Sequence, residues 1–232
     1  MRGMDLDLRQ FAPSLTRDEA GIWVAARSGA VSYPADGHAA CFQVEERSFW
    51  FQHRNAVLVS VMRRLPPPSG IVFDVGGGNG FVARALQDAG WVTTVVEPGP
   101  VGAANARRSS GGANVVCARL EDAGFSRGAL PAIGLFDVVE HVEDDARLLA
   151  DVRELLAPEG RVFITVPAYQ WLWSTEDDDA GHFRRYTAAS LSAALGAAGL
   201  VVEYVSYFQP GKFFDGVIHL LELRYADAGV TP

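Results

Sequence analysis

The stretch "VFDVGGGNGF", Val72 to Phe81, decides the fold. An apolar run ends in Asp74, and four glycines follow within five residues: Gly76, Gly77, Gly78 and Gly80. The apolar run reads as a buried strand, and "FVARALQDAG" after it as a helix closed by Gly90. A glycine turn between strand and helix lets the backbone approach a nucleotide closely. Two frames fit it. Gly78, Gly80 and Ala83 match the G-x-G-x-x-A pattern of dinucleotide binding. Asp74, Gly76, Gly78 and Gly80 instead fall at every second position, with an acid at the loop mouth. A carboxylate there repels a pyrophosphate and suits a ligand carrying an ammonium or sulfonium charge.

Working outward, the same unit repeats. "WVTTVVEP", "ANVVCA", "PAIGLFDVV", "RVFITVP" and "LVVEYVSYF" read as further strands. "PVGAANARRS", "DDARLLADVRELLAPEG" and "TAASLSAALGAAG", the last with Thr187 as N-cap, read as helices. Such alternation predicts an α/β fold: a Rossmann-like, doubly wound, mostly parallel sheet with helices on both faces. Ligands then bind at the carboxyl ends of the strands. Glu97 stands at one such end, seventeen residues after Gly80, where a carboxylate accepts both hydroxyl protons of a ribose. Nicotinamide and adenosyl cofactors both use that contact, so Glu97 indicates a nucleoside without choosing between them.

Flanking segments are less regular. "AVSYP" reads as a short strand and "PADGHAA" as a turn. "EERSFWFQHRNAVLVSVMRRL" reads as a helix, with Phe49, Val57 and Val61 near helical spacing, stopped by "PPPSG". The expected division is an N-terminal segment and helical lid over residues 1–69, a cofactor-binding core over 70–211 and a C-terminal helix over 212–232. The core holds a long insertion at about 168–186, "AYQWLWSTEDDDAGHFRRY", and connections of that length are usually functional. Either the C-terminal end is shortened or the packed helix "KFFDGVIHLLELRY" replaces part of a last antiparallel strand.

The 232 residues are 49% apolar and 21% charged, as in soluble globular chains. A net charge of −8 argues against nucleic acid as the partner, because phosphate contacts need clustered cations. Two cysteines without metal-ligand or disulfide spacing, and no apolar leader, predict a cytoplasmic protein. No run is long enough to span a membrane. Peripheral contact through "FFDGVIHLLELRY" stays open, as does the choice between monomer and homodimer.

Five linked motifs, "FDVGGGNGF", "VVEPG", "LEDAGF", "IGLFDVVEHVEDD" and "LLAPEGRVFITVP", resemble in order and spacing the class I S-adenosylmethionine-dependent methyltransferases over roughly residues 45–208. That resemblance implies roles. Gly76, Gly77, Gly78 and Gly80 would surround the methionine and ribose, and Asp74 would hold the loop or reach the amino group through water. Glu97, followed by Pro98, would bind the ribose. Leu120, Glu121 and Asp122 would lie beside the adenine, and Phe136 under the cofactor. It also implies a small-molecule acceptor. The rivals are a nicotinamide-dependent oxidoreductase and a non-catalytic adenosyl-ligand binder.

Asp137, Glu140 and His141 stand at i, i+3 and i+4, so one turn presents all three to one side. Carboxylates with an imidazole serve as a base and its orienting partner, or bind a divalent ion. The catalytic candidates are therefore His141, His182, Asp137 and Glu140. The same four form an alternative metal set, which is not the favoured reading. Methyl transfer aligns nucleophile, methyl and sulfur and removes a proton from the acceptor. "SFWFQHRN" offers Trp50, Phe51 and Arg54 to the acceptor, and the insertion offers Trp171, Trp173, Arg184, Arg185 and Tyr186. The aromatics suit a flat or lipid-linked acceptor and the arginines an anionic group on it; the alternative is that the tryptophans pack a lid onto the core and the arginines pair with Asp177 to Asp179. Oxygen is the favoured methyl acceptor.

Overall fold

A computed structural model describes residues 6–25, 42, 45, 48–208 and 218–225, the last segment by its backbone alone. The strands are β1 (Thr16–Arg17), β2 (Trp23–Val24), β3 (Ile71–Val75), β4 (Val92–Val96), β5 (Asn114–Cys117), β6 (Leu130–Phe136), β7 (Leu156–Thr165), β8 (Leu200–Phe208) and β9 (Ile218–Tyr225). The helices are α1 (Phe49–Arg64), α2 (Phe81–Asp88), α3 (Pro100–Ser109), α4 (Asp145–Leu155), α5 (Thr175–Ala180) and α6 (Ala188–Ala197). "AVSYP", "PADGHAA" and the start of the C-terminal segment lie outside the described residues.

All the strands join one sheet in the order β1-β2-β5-β4-β3-β6-β7-β9-β8. From β2 to β7 the pairs are parallel. Strand β3 shows why the sheet is covered on both faces. Val72 packs with Leu58 and Met62 of α1 and with Val82 and Leu86 of α2. Phe73 and Val75 point the other way, into a larger cluster with Leu149 and Val152 of α4 and Leu191 and Leu195 of α6. Each such side chain contributes about 1.5–3 kcal/mol by leaving water. Strand order reverses between β3 and β6, which places a crevice at their carboxyl ends.

Three expectations need correction. Residues 218–225 are not helical. They form β9, antiparallel to both β7 and β8, and close the gap between two strands that run the same way. In "IHLLELRY" the spacing of Ile218, Leu221 and Tyr225 imitates a helix, while Leu221, Leu223 and Tyr225 alternate. The unpaired amides and carbonyls of β7 and β8 decide for the strand, because buried backbone groups must be paired. Residues 218–225 are therefore part of the sheet, not of a packed helix.

Helix α1 also buries a different face. Arg54, Leu58 and Met62 are buried, whereas Phe49 is 71% exposed and Val57 and Val61 are half-buried. The run "NAVLVSVM" is apolar almost all round, so its spacing could not select a side. Finally, the N-terminal segment is more than a lid, since β1 and β2 extend the sheet beside β5.

Candidate active site

The glycine loop sits at the carboxyl end of β3, beside the reversal in strand order. Gly76 has φ 71°, and a Cβ there would meet Val138 Cγ2 at 2.7 Å. A Cβ on Gly77 would meet Asp74 Oδ2 at 2.8 Å, so the loop packs directly on that carboxylate. A Cβ on Gly78 would meet nothing nearer than 4.0 Å among the described residues, which leaves room for a ligand to reach the backbone. Asn79 holds the far side of the loop, donating to Glu45 Oε2 at 2.7 Å and accepting from Asn105 at 2.9 Å.

Asp74 is buried, and neither oxygen accepts a hydrogen bond of good geometry among the described residues. Burial pushes its carboxyl up to about 7; Arg54 opposes this, and Glu97 adds to it. Glu97 is also buried, and accepts from the Gly78 amide at 3.0 Å and the Gly99 amide at 2.7 Å. Burial raises its carboxyl too, although those two amides work the other way. Two partly desolvated acids flanking a glycine loop suit a ribose and a cationic ligand, as S-adenosylmethionine is. Leu120 is buried after β5, while Glu121 and Asp122 are tied to Arg119 at 3.2 Å and 2.9 Å. Phe136 packs at the end of β6 against the α1–α2 cluster, and Pro98 follows Glu97 half-buried.

The four catalytic candidates divide. Asp137, with φ 58°, turns toward α1 and meets Arg54 Nη1 at 2.5 Å, and the Thr165 hydroxyl donates to it at 2.9 Å. Glu140, His141 and His182 converge instead, each offering a ligand atom within 4.8 Å of the others. The two imidazoles meet edge to face at 4.6 Å. Burial, helped by His182, depresses His141 to about 4, so its ring is neutral near pH 7. Glu140 is pushed well above the carboxylate range by burial and by Asp137, and its Oε2 has no partner among the described residues. An imidazole placed in this way can accept a proton from a bound acceptor.

The insertion between β7 and α6 is knitted rather than loose. It contains α5, and Ser174 and Asp177 form a capping box at its start. The Phe183 amide donates to the Glu140 carbonyl at 2.8 Å, which staples the insertion to the turn after β6. Arg184 pairs with Asp145 at 2.8 Å, and Arg185 with Asp177 at 2.7 Å. Both arginines expected to meet an anionic acceptor are thus engaged by carboxylates of the protein itself. Tyr186 is buried and donates to Asp145 at 2.7 Å, so it is framework rather than pocket lining.

The aromatic candidates remain. Trp50 stacks on Phe208 at 5.8 Å, Trp171 is 74% exposed, and Trp173 donates to Asp178 at 3.0 Å. Phe51 lies under the Arg54 guanidinium, 5.1 Å from ring centre to Cζ. Tyr169 of the insertion stacks in parallel on Tyr207 of β8 at 5.2 Å. Tyr169 has φ 59°, and such backbone in a non-glycine residue is a recurrent mark of functional sites.

A methyltransferase-domain family profile matches residues 49–205. A ubiquinone biosynthesis O-methyltransferase of Xanthomonas axonopodis pv. citri is 25% identical over 192 residues, covering 74% of this chain and 80% of that protein. Among solved structures, a putative methyltransferase in complex with the Trm112 activator of Haloferax volcanii aligns with a TM-score of 0.69 at 18% identity, over 85% of this chain and 100% of that one. The 1,6-didemethyltoxoflavin-N1-methyltransferase of Burkholderia thailandensis, solved with S-adenosylhomocysteine, aligns with a TM-score of 0.62 at 18% identity, over 92% of this chain and 100% of that one. Together with the loop, the two acids and the strand order, these matches place the chain in the methyltransferase domain family of class I S-adenosylmethionine-dependent methyltransferases, with S-adenosylmethionine as its cofactor.

Proposed function

We propose that the protein transfers the methyl group to a hydroxyl oxygen of a small, flat or lipid-linked acceptor. The observation that carries this is the convergence of Glu140, His141 and His182 at the carboxyl end of β6. A phenol or alcohol must lose a proton as its oxygen takes the methyl group, and a neutral imidazole near pH 7 is suited to accept it. The sequence similarity to an O-methyltransferase supports the same reading. The aromatic rim of Trp50, Tyr169, Trp171 and Tyr207 supports a flat or apolar acceptor over a highly charged one.

The cofactor supplies an electrophilic methyl on a sulfonium. This chain's residues bind and orient it: Glu97 the ribose, the glycine loop the methionine side, Asp74 the positive charge. His182 takes the acceptor's proton. The rim excludes water and aligns the acceptor oxygen, and orientation of that kind supplies much of the acceleration.

The test has two parts. Glu97→Ala should weaken S-adenosylmethionine binding by about 1–3 kcal/mol in calorimetry, since it removes charge-assisted hydrogen bonds. Unchanged affinity would remove the ribose assignment. Adenosylhomocysteine formation should then be followed with panels of phenols, catechols and amines. Turnover confined to the amines would overturn O-methylation.

A further inference from the structure

His182 has a second neighbour that the catalytic reading does not use. Its Nδ1 lies 2.8 Å from Asp177 Oδ1. Asp177 is 1% exposed and sits at the start of α5. Three further close donors hold it, Arg185 Nε at 2.7 Å, Arg185 Nη2 at 2.7 Å and the Ser174 amide at 2.8 Å, with the Ser174 hydroxyl more distant at 3.4 Å. A carboxylate held by four close donors cannot turn away from the imidazole. It accepts only, so the nitrogen facing it must carry the hydrogen. The other ring nitrogen, Nε2, then carries the lone pair, and the ring itself lies against His141 and beside Glu140.

We propose that Asp177 is the positioning residue of the site: it fixes His182 as the Nδ1–H tautomer and so presents Nε2 as the proton acceptor. Arg185 acts one step further out, holding Asp177 in place. This rests on the O-methylation reading for its catalytic consequence, and on geometry alone for the tautomer. In the step itself the acceptor oxygen forms a bond to the methyl carbon as the carbon–sulfur bond breaks. The bonding pair stays on sulfur, which becomes a neutral thioether. The acceptor's proton passes to His182 Nε2, and the imidazolium is then balanced by Asp177. Burial would raise the Asp177 carboxyl, but Arg185, Ser174 and His182 outweigh it and hold it well below the usual range, so it remains the anion throughout.

The experiment is nitrogen–proton correlation NMR of the imidazoles in the full chain with adenosylhomocysteine near pH 7, on the wild type and Asp177→Asn. The wild type should show His182 protonated at Nδ1. Asp177→Asn should move the hydrogen to Nε2, because an amide can donate to Nδ1. Turnover on a phenol or catechol should fall about 100-fold or more in that variant, as a lost base does, with cofactor affinity unchanged. Asp177→Glu should recover part of it. An Nε2–H signal in the wild type overturns the proposal, whether or not the variant folds. So does normal turnover in a folded Asp177→Asn protein, which is what a purely structural clamp on α5 would give. A wild type with the stated tautomer that methylates only amines would refute O-methylation instead, so the two failures are distinguishable.

Discussion

Asp74 ends β3 with both carboxylate oxygens buried beneath the glycine loop. Its carboxyl stands at about 7 against an ordinary 3.8. Between those values the folded chain keeps a proton that the unfolded chain has released. Its burial therefore costs stability progressively as pH rises through that window, and no more above it. A bound ammonium and sulfonium favour the carboxylate and should pull the value back down. S-adenosylmethionine should thus bind with release of a proton near pH 6–7, more tightly toward the alkaline end of that range. Calorimetry in buffers of different ionisation enthalpy reads this directly, and Asp74→Asn should abolish the buffer dependence. A binding enthalpy independent of buffer in the wild type would show that Asp74 does not respond to the cofactor. Residue-scale features of this kind are legible in sequence where position suffices. The acid at the loop mouth and Glu97 after the next strand follow from local order alone. The engagement of Arg184 by Asp145 does not, since a charge in a sequence gives no sign of which distant partner its fold will bring.

At the scale of elements, α1 is held to the site by one ion pair. Arg54 is 6% exposed, lies 2.5 Å from Asp137, and its charge also bears on Asp74 and Glu140. Removing one partner of such a pair leaves the other charge poorly compensated, which costs about 3–5 kcal/mol when both are buried. Asp137 keeps some contact with solvent, so Arg54→Met should fall at the lower end of that range in urea unfolding. Arg54→Met with Asp137→Asn should recover part of the loss, because no unpaired charge then remains there. A single variant as stable as the wild type would show that α1 is held by its apolar face alone. The pair also explains why the buried side of α1 was not readable from its spacing. Arg54, Leu58 and Met62 share a face by helical spacing, and on that face Arg54 meets Asp137, just after β6. By contrast, the units between Ile71 and Phe208 are legible, since each strand, glycine turn and capped helix is set by neighbours in sequence. Thr187 is one such signal: it accepts from the Ser190 amide at 3.1 Å, as an N-cap should.

Across the whole molecule, the C-terminal segment carries more of the fold than its sequence suggests. β9 pairs with β8 from Leu200 to Phe208 and with β7 from Arg161 to Ile164, so one strand satisfies two others. Its helical spacing is local, whereas one of its two partners, β7, lies far upstream, which is why tertiary pairing overrides the pattern. A chain ending at Phe208 would leave β7 with an open edge and β8 with no partner. Each lost backbone hydrogen bond is worth about 1 kcal/mol net, against a total stability of about 5–15 kcal/mol. The truncated chain should therefore lose cooperative unfolding and tend to associate through the exposed edge of β7. The effect should reach the active site, because the insertion carrying His182 leaves directly from β7. Thermal unfolding and light scattering of the two chains make the comparison. A C-terminal helix resting on the surface would be dispensable, so a truncated chain that melts like the full one would return the segment to that simpler role.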